Sequence, residues 1–591
     1  MKRIFSLLLI SCSFAFLVHA KDLSKHVPMP VEMAMHADDL ATLTDFELMQ
    51  LTRECYRVLG QEAQESTVAS WVHDCYTTMQ QGVSIERTEL VHACSALLTT
   101  IAGNRTCLDK LTQILQNSIT ILSKVICLNV TEITTPQVIT DPGYYCLTAD
   151  VVGTITISGQ RIILDLNNHQ ISGTLNAVEL TGTNIVIKNG IIRDASSVGI
   201  TANVAENLTI EDITFIADRT GIVLTTVTCL TLQDCTFRNH LGCLRATNLF
   251  GANLSNLVSK HNNYPAAMLG VTILFYFVNA HNVNAEGIIC YENALAGSAF
   301  GNFTSLVTLE RSANIVFKDS NFNHNFDSGS GGYPFVIQGC KDVICIDCTI
   351  NNNSTGFMYG LLVTQDSSSG IDSEDVTLIN CSVNQNISTD ELDAFYIDRA
   401  NNVTLIDCQA NENRGAATRT VGFVFDRATD IICKNCLSLT NSGPNSAGFL
   451  STGNSLADSS VKVILEDCIA NDMMSTSNAY GFQFVNTVTS CIIDCIAKKN
   501  VGDTTGQGIA LTDCAGCVVQ SNRVVANSSV GIQDTTGINN MFLQNKSQEN
   551  GTLGANNYSG VPASLIITYD IGDQDFTTTN TRPFINLAVQ P

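Results

Sequence analysis

At 591 residues, 45% of them hydrophobic and 15% charged, the chain can bury a large core and is too poor in charge to be disordered. Its length exceeds one ordinary compact domain unless it is an extended repeat array. A net charge of −24 at pH 7 disfavours nucleic acid and anionic membrane surfaces as partners.

Residues 1–20 read as a secretory signal. Lys2 and Arg3 form the positive start, an apolar run extends from Ile4 to Val18, and Val18-His19-Ala20 supplies a cleavage site after Ala20. Leu9-Ile10-Ser11-Cys12 offers lipoprotein processing at Cys12 as the lesser alternative, because the apolar run continues past it. No later stretch has the ~18 consecutive apolar residues of a membrane span. The expected location is therefore an exported one: secreted, periplasmic or at the cell surface, with no transmembrane segment.

Residues 21–126 have helical spacing, as in Phe46, Leu48, Leu51, Cys55 and Leu59, or Val68, Trp71, Val72 and Cys75. They predict a small α-helical N-terminal module. Cys55, Cys75, Cys94, Cys107, Cys127 and Cys146 are an even set whose disulfide pairing stays open. His73 and His92 lie near Cys75 and Cys94 at spacings that match no zinc site, so neither metal nor cofactor is expected.

From Ile133 the texture changes to short strands. Residues 142–173, PGYYCLTADVVGTITISGQRIILDLNNHQISG, alternate at Ile155/Ile157 and Ile162/Leu164/Leu166 between Gly and Asn breaks. With its Pro-Gly-x-Tyr turn and DLNNHQISG stretch, this segment resembles the opening of exported bacterial right-handed parallel β-helix proteins of the pectin-lyase-like fold. The resemblance covers roughly residues 133–560. It implies a mainly β architecture, placed at 127–550, and is silent on activity.

A repeat carries the same conclusion from the residues themselves. NVTLIDCQANEN (402–413) returns as NIVFKDSNFNHN (314–325), DVICIDCTINNN (342–353), DVTLINCSVNQN (375–386), DIICKNCLSLTN (430–441) and KVILEDCIANDM (462–473). The place of Cys408 maps backwards onto Cys381, Cys348, Ser320, Ile288, Leu257, Cys235, Ile213, Gly190 and His169. Forwards it maps onto Cys436, Cys468, Cys495, Asn522 and Lys546. The residue before that place is nearly always Asp or Asn, suited to a left-handed corner. Period-2 alternation excludes helix pairs, and the leucine spacing excludes leucine-rich repeats. About fifteen three-strand coils at ~4.8 Å would form a rod roughly 70 Å long. Residues 551–591, with PASLIITYDI as a strand, are expected to cover the last rung.

Cys345-x-x-Cys348, Cys433-x-x-Cys436 and Cys514-x-x-Cys517 lack zinc spacing and a thioredoxin-like context. They read as small buried hydrophobes in an inward column. Polar repeats are more informative about function. Asp398-Arg399 and Asp426-Arg427 occupy one place in adjacent coils, with Tyr396 nearby and Glu310-Arg311 as an earlier counterpart. Arg can grip a uronate carboxylate bidentately, and paired Asp can hold calcium or act as a base. The plainer alternative is an exposed salt-bridge stack of little energetic worth.

The rod lacks the Asn-Thr-Asp, Asp-Asp, Gly-His-Gly and Arg-Ile-Lys set of polygalacturonase-like enzymes and the Arg-x-Pro-x-x-Arg of pectate-lyase-like ones. HExxH, GxSxG and phosphate loops are also absent. Catalytic residues are therefore not assigned. The expectation is a non-catalytic rod that binds a glycan or a host or cell-surface component, using Tyr396, Asp398, Arg399, Asp426 and Arg427. A diverged polysaccharide lyase or glycoside hydrolase is the alternative.

Overall fold

The computed structural model describes residues 130–561 except 174, 263–271, 296–303, 328–330 and 552–556, together with 566–567. The signal, the helical module and most of the C-terminal cover lie outside the described residues. So do Cys55, Cys75, Cys94, Cys107 and Cys127; Cys146 is buried.

One coil shows how the sequence makes the fold. Leu392–Asp398 forms a strand in a first sheet, Ala400–Ile406 one in a second, and Gln409–Asn411 one in a third. A two-residue strand, Arg414–Gly415, closes the turn back to the first sheet, in addition to the three strands expected. The next coil repeats this with Thr420–Asp426, Thr429–Lys434 and Leu437–Leu439. Adjacent coils pair in parallel and in register: Phe395 with Phe423, Val403 with Ile431, Gln409 with Leu437. All named strands join one continuous parallel array. The chain is a right-handed parallel β-helix, the hand that parallel crossovers take.

Alternation decides what is inside. Val403 and Leu405 are buried while Asn402 is exposed and Thr404 half-buried. Phe395, Phe423, Phe449 and Phe482 stack through the interior with ring centroids 4.8, 4.7 and 4.9 Å apart. Offset rings at rung spacing combine large apolar burial with favourable quadrupole contacts. The corners turn where the sequence supplies residues that tolerate φ > 0. Arg399, Asp407 and Glu412 have φ of 47°, 55° and 57° within one coil. Asp347, Asn380, Asp407 and Asn435 form one such column, and the Asn380 Nδ2 donates to Asp347 Oδ1 at 2.5 Å.

The cysteines that follow these corners point inward. Cys348, Cys381, Cys408 and Cys436 are all buried, and the carbonyls of Cys348, Cys381 and Cys408 each accept the amide that opens the next coil's third strand. No disulfide joins them; burial pushes the earlier column member Cys235 up to about 12. The least regular mappings, Leu257 and Ile288, fall in place, since Ile289 N–H donates to Leu257 O and Asn321 N–H to Ile288 O. The last mapping needs correction. Arg523 pairs with Lys546, so the counterpart of Asn522 is Asn545, and its corner residue is Gln544 with φ of 55°. The Cys motif is lost there, so Asn545 reads as the corner that Gln544 in fact makes.

The final asparagine of the repeat, to which the sequence reading gave no role, builds a second interior column. Asn353, Asn386, Asn413 and Asn441 are buried, and the backbone N–H of each of the first three donates to the next coil's side-chain Oδ1, as from Asn386 to Asn413 at 3.1 Å and from Asn413 to Asn441 at 2.9 Å. Each Nδ2 also donates to a carbonyl of the preceding coil, as from Asn413 to Val383 O at 2.7 Å. A neutral amide is suited to this place because it supplies acceptor and donors without burying charge. Met473 interrupts the ladder, and Asn500, Asn527 and Asn550 resume it. Beyond residue 550, Tyr558–Ser559 and Ile566–Ile567 still pair in parallel with the coil below.

Candidate functional site

The outward positions of the first sheet carry the densest polar chemistry described. In Leu392–Asp398, Leu392 and Ala394 lie in the core on either side of Asp393, and Phe395 and Ile397 lie in it on either side of Tyr396, which leaves Asp393, Tyr396 and Asp398 on the other face. Asp398 lies directly against Asp426 in the next coil. Two carboxylates at rung spacing repel unless a cation lies between them, and Arg427 fills that role. Its Nη2 is 2.8 Å from Asp398 Oδ1 and 2.9 Å from Asp426 Oδ2, and its side chain is only 16% exposed. Tyr396 donates to Asp426 Oδ2 at 3.1 Å and Thr364 to Asp398 Oδ2 at 3.3 Å. Burial raises the Asp398 pKa, against the lowering effect of Arg427.

Four of the five predicted residues are thus brought into one bonded group. Arg399 stands at its edge: 46% exposed, 3.9 Å from Asp398 Oδ1, and 3.5 Å from Gln365 Oε1. Arg311 salt-bridges its neighbour Glu310 at 2.6 Å in the earlier counterpart. The charge stack therefore divides: Arg427 is a half-buried strut between carboxylates, whereas Arg399 presents its charge to solvent.

Three further residues complete the cluster. Asp393 is fully buried, and Arg419 Nη2 reaches both Asp393 Oδ2 at 2.6 Å and Glu391 Oε1 at 2.9 Å. Asp393 Oδ1 and Arg419 Nε have no hydrogen-bond partner. Loss of hydration, reinforced by Glu391 and only partly offset by Arg419, pushes the Asp393 carboxyl up to about 7. Tyr359 hydrogen-bonds Glu391 at 3.3 Å and stacks on Tyr396 with centroids 4.4 Å apart; Tyr333 follows 5.5 Å further along. The three rings form a staircase across successive coils. Tyr359 and Tyr396 are half-buried, each covering one face of the other.

Sequence reasoning missed Asp393, Glu391 and Arg419. The available signal was positional: Asp393 occupies the outward place held by Tyr359 one coil earlier and Val421 one coil later. A carboxylate in an aromatic and aliphatic column stands out only once the register of the first strand is known. Among the described residues no group of three or more His, Cys, Asp or Glu is placed to hold a metal ion. Nor is any described helix long and apolar enough to cross a membrane.

No protein-family model matches the chain, and no curated protein does. Among solved structures it is similar to the periplasmic alginate epimerase AlgG, at 9% identity over 66% of this chain and 78% of that one, TM-score 0.33. The Azotobacter vinelandii mannuronan C-5 epimerase AlgE4 A-module matches at 12% identity over 71% and 91%, TM-score 0.27. The tailspike of E. coli bacteriophage HK620, solved with a pentasaccharide, matches at 13% identity over 73% and 76%, TM-score 0.29. At these scores the architecture rests on the strand register, not on the likeness.

Proposed function

We propose that the protein is an exported, non-catalytic β-helix that binds a carboxylated glycan on the outward face of its first sheet. One observation carries this reading. Arg399 is an exposed guanidinium whose nearest carboxylate, Asp398 Oδ1 at 3.9 Å, is already held by Arg427 at 2.8 Å. Its planar fork suits a uronate carboxylate. The tyrosine hydroxyls can accept from sugar hydroxyls beside it, and so can the carboxylates of Asp398 and Asp426. Arg427 holds the face in shape and does not itself meet the ligand.

Titration of polygalacturonate and alginate oligomers into the purified protein tests the proposal. Arg399→Ala should abolish binding and leave Tm unchanged. Arg427→Ala should lower stability by about 2–3 kcal/mol, because it leaves two half-buried carboxylates opposed. Wild-type affinity in Arg399→Ala, or no binding of any uronate oligomer by the wild type, would overturn the reading. A second reading, a diverged lyase or hydrolase, is favoured by Asp393, whose carboxyl is protonated below about pH 7 and could serve as a general acid. Its complete burial stands against contact with substrate. Release of new reducing or unsaturated ends from these oligomers, lost in Asp393→Asn, would establish the second reading over the first.

A further inference from the structure

A different side of the rod carries a groove of about 1010 Å³. It is made from three columns of side chains that the coil register aligns. The floor is the two-residue strand position, where Arg414, Ser442, Met474 and Val501 succeed one another in parallel pairing. One wall is a column of left-handed corners, including Asp472 with φ of 58° and Lys499 with φ of 55°. The other wall runs from Ala416 to Asp503 along the outgoing turns. The lining reaches from the coil of Arg414 to that of Ala526, four rung spacings or ~19 Å. The groove therefore accepts a chain lying parallel to the rod axis.

Several facing charges on the rod pair, as in Lys341 with Glu374, Lys434 with Glu466 and Lys462 with Asp430. Arg414, Asp472, Lys499 and Asp503 line this groove, and among the described residues none of them makes a salt bridge or a side-chain hydrogen bond. Two apolar side chains, Met474 and Val501, are 55% and 48% exposed between them. The two positive and two negative groups balance, so the groove has no local excess charge to select an anion or a cation. An extended peptide would find no backbone partners. The floor amides of Ser442, Met474 and Val501 already donate to Asn413, Asn441 and Met473 carbonyls of the neighbouring coil.

We propose that this groove is a second binding site, for a neutral extended oligosaccharide. Met474 and Val501 lie under the C–H faces of the sugar rings. Arg414, Lys499, Asp472 and Asp503 donate to and accept from the ring hydroxyls. The site is independent of Arg399 and of the carboxylated ligand proposed above.

The test is calorimetric titration of the full-length protein with cellohexaose, chitohexaose, maltohexaose, xylohexaose and mannohexaose. A hexagalacturonate and an uncharged extended hexapeptide complete the probe set. At least one neutral hexasaccharide should bind. Arg414→Ala, Asp472→Asn and Lys499→Asn should each weaken it roughly five- to tenfold. Asn keeps the left-handed corner in the last two, and all three positions lie at the surface, so Tm should not change. Arg399→Ala should leave this affinity unaltered. The proposal is overturned if no neutral hexasaccharide binds, if the peptide or the hexagalacturonate alone binds in a way these three variants reduce, or if all three variants bind the neutral sugar as wild type.

Discussion

Replacing Asn413 by Ala tests whether the interior amide ladder holds the coils in register. The side chain accepts from the Asn386 N–H and from Asn386 Nδ2, each at 3.1 Å, and donates to Val383 O at 2.7 Å. Asn386 Nδ2 keeps a second partner, Ile350 O at 2.8 Å. The Asn386 N–H does not, and it is buried where water cannot replace the lost oxygen. One orphaned buried donor costs about 1–3 kcal/mol, and two weakened bonds add about 1 kcal/mol each, for roughly 3–5 kcal/mol in all. A stacked array need not unfold in one step, so a single unfolding free energy is a poor readout. Hydrogen exchange followed by mass spectrometry gives a local one. Protection should collapse in peptides spanning Asn386 and Asn413 and persist around Asn500 and Asn527, beyond the break at Met473. Unchanged exchange at Asn386, or uniform loss along the rod, would refute the argument that the ladder acts coil by coil. Gln409→Ala, an outward change in the same coil, is the control and should alter exchange little.

Met473→Asn should extend the ladder across its one interruption and raise thermal stability by about 0.5–1.5 kcal/mol; a loss of stability would mean that the thioether packs there better than an amide pairs. Leu405→Asp puts an unpaired charge among buried side chains and should unfold the central coils, whereas Thr404→Asp on the outward face should shift Tm little. Equal shifts would show the in/out assignment to be wrong. Burial raises both Asp393 and Asp218 to about 7, so the folded state holds protons that the unfolded chain has released. Their contribution is present at acid pH and lost as pH rises from about 4 through 7. Urea midpoints measured across that window should fall with pH, and Asp393→Asn should flatten the slope; an unaltered slope in that variant would remove Asp393 from the account.

Much of the architecture is legible in the sequence, because a coil that stacks on copies of itself must repeat its in/out alternation. The Cys column, the Asp/Asn corners and the Leu257 and Ile288 coils all follow from that one constraint. What escaped is what the repeat does not force. Asn545 reads as a corner because asparagine is a usual corner residue, whereas it stands at the inward Cys place after the Gln544 corner. The fourth, two-residue strand of the central coils is too short to leave an alternating pattern. The charge stack was visible as Asp398-Arg399 and Asp426-Arg427, yet spacing alone could not show that Arg427 spans two carboxylates while Arg399 faces solvent. Asp393 was hidden because its meaning depends on Tyr359 and Val421, residues a whole coil away. The groove is legible only in three columns at once, and no single stretch of sequence contains it.

The in-register pairing also fixes how the rod should respond to force. Hydrogen bonds between coils point along the axis, so tension between the two ends loads one interface after another in series and never shears a whole sheet at once. The terminal coil should peel away first, each rupture releasing about one repeat. A coil of 27 residues, the spacing from Asn386 to Asn413, would then add roughly 90 Å of slack chain per event. Tension applied across the axis instead strains covalent backbone around each closed turn. A molecule built this way is tough to sideways pull and yields gradually when drawn lengthwise, which makes it a graded tether rather than a brittle one.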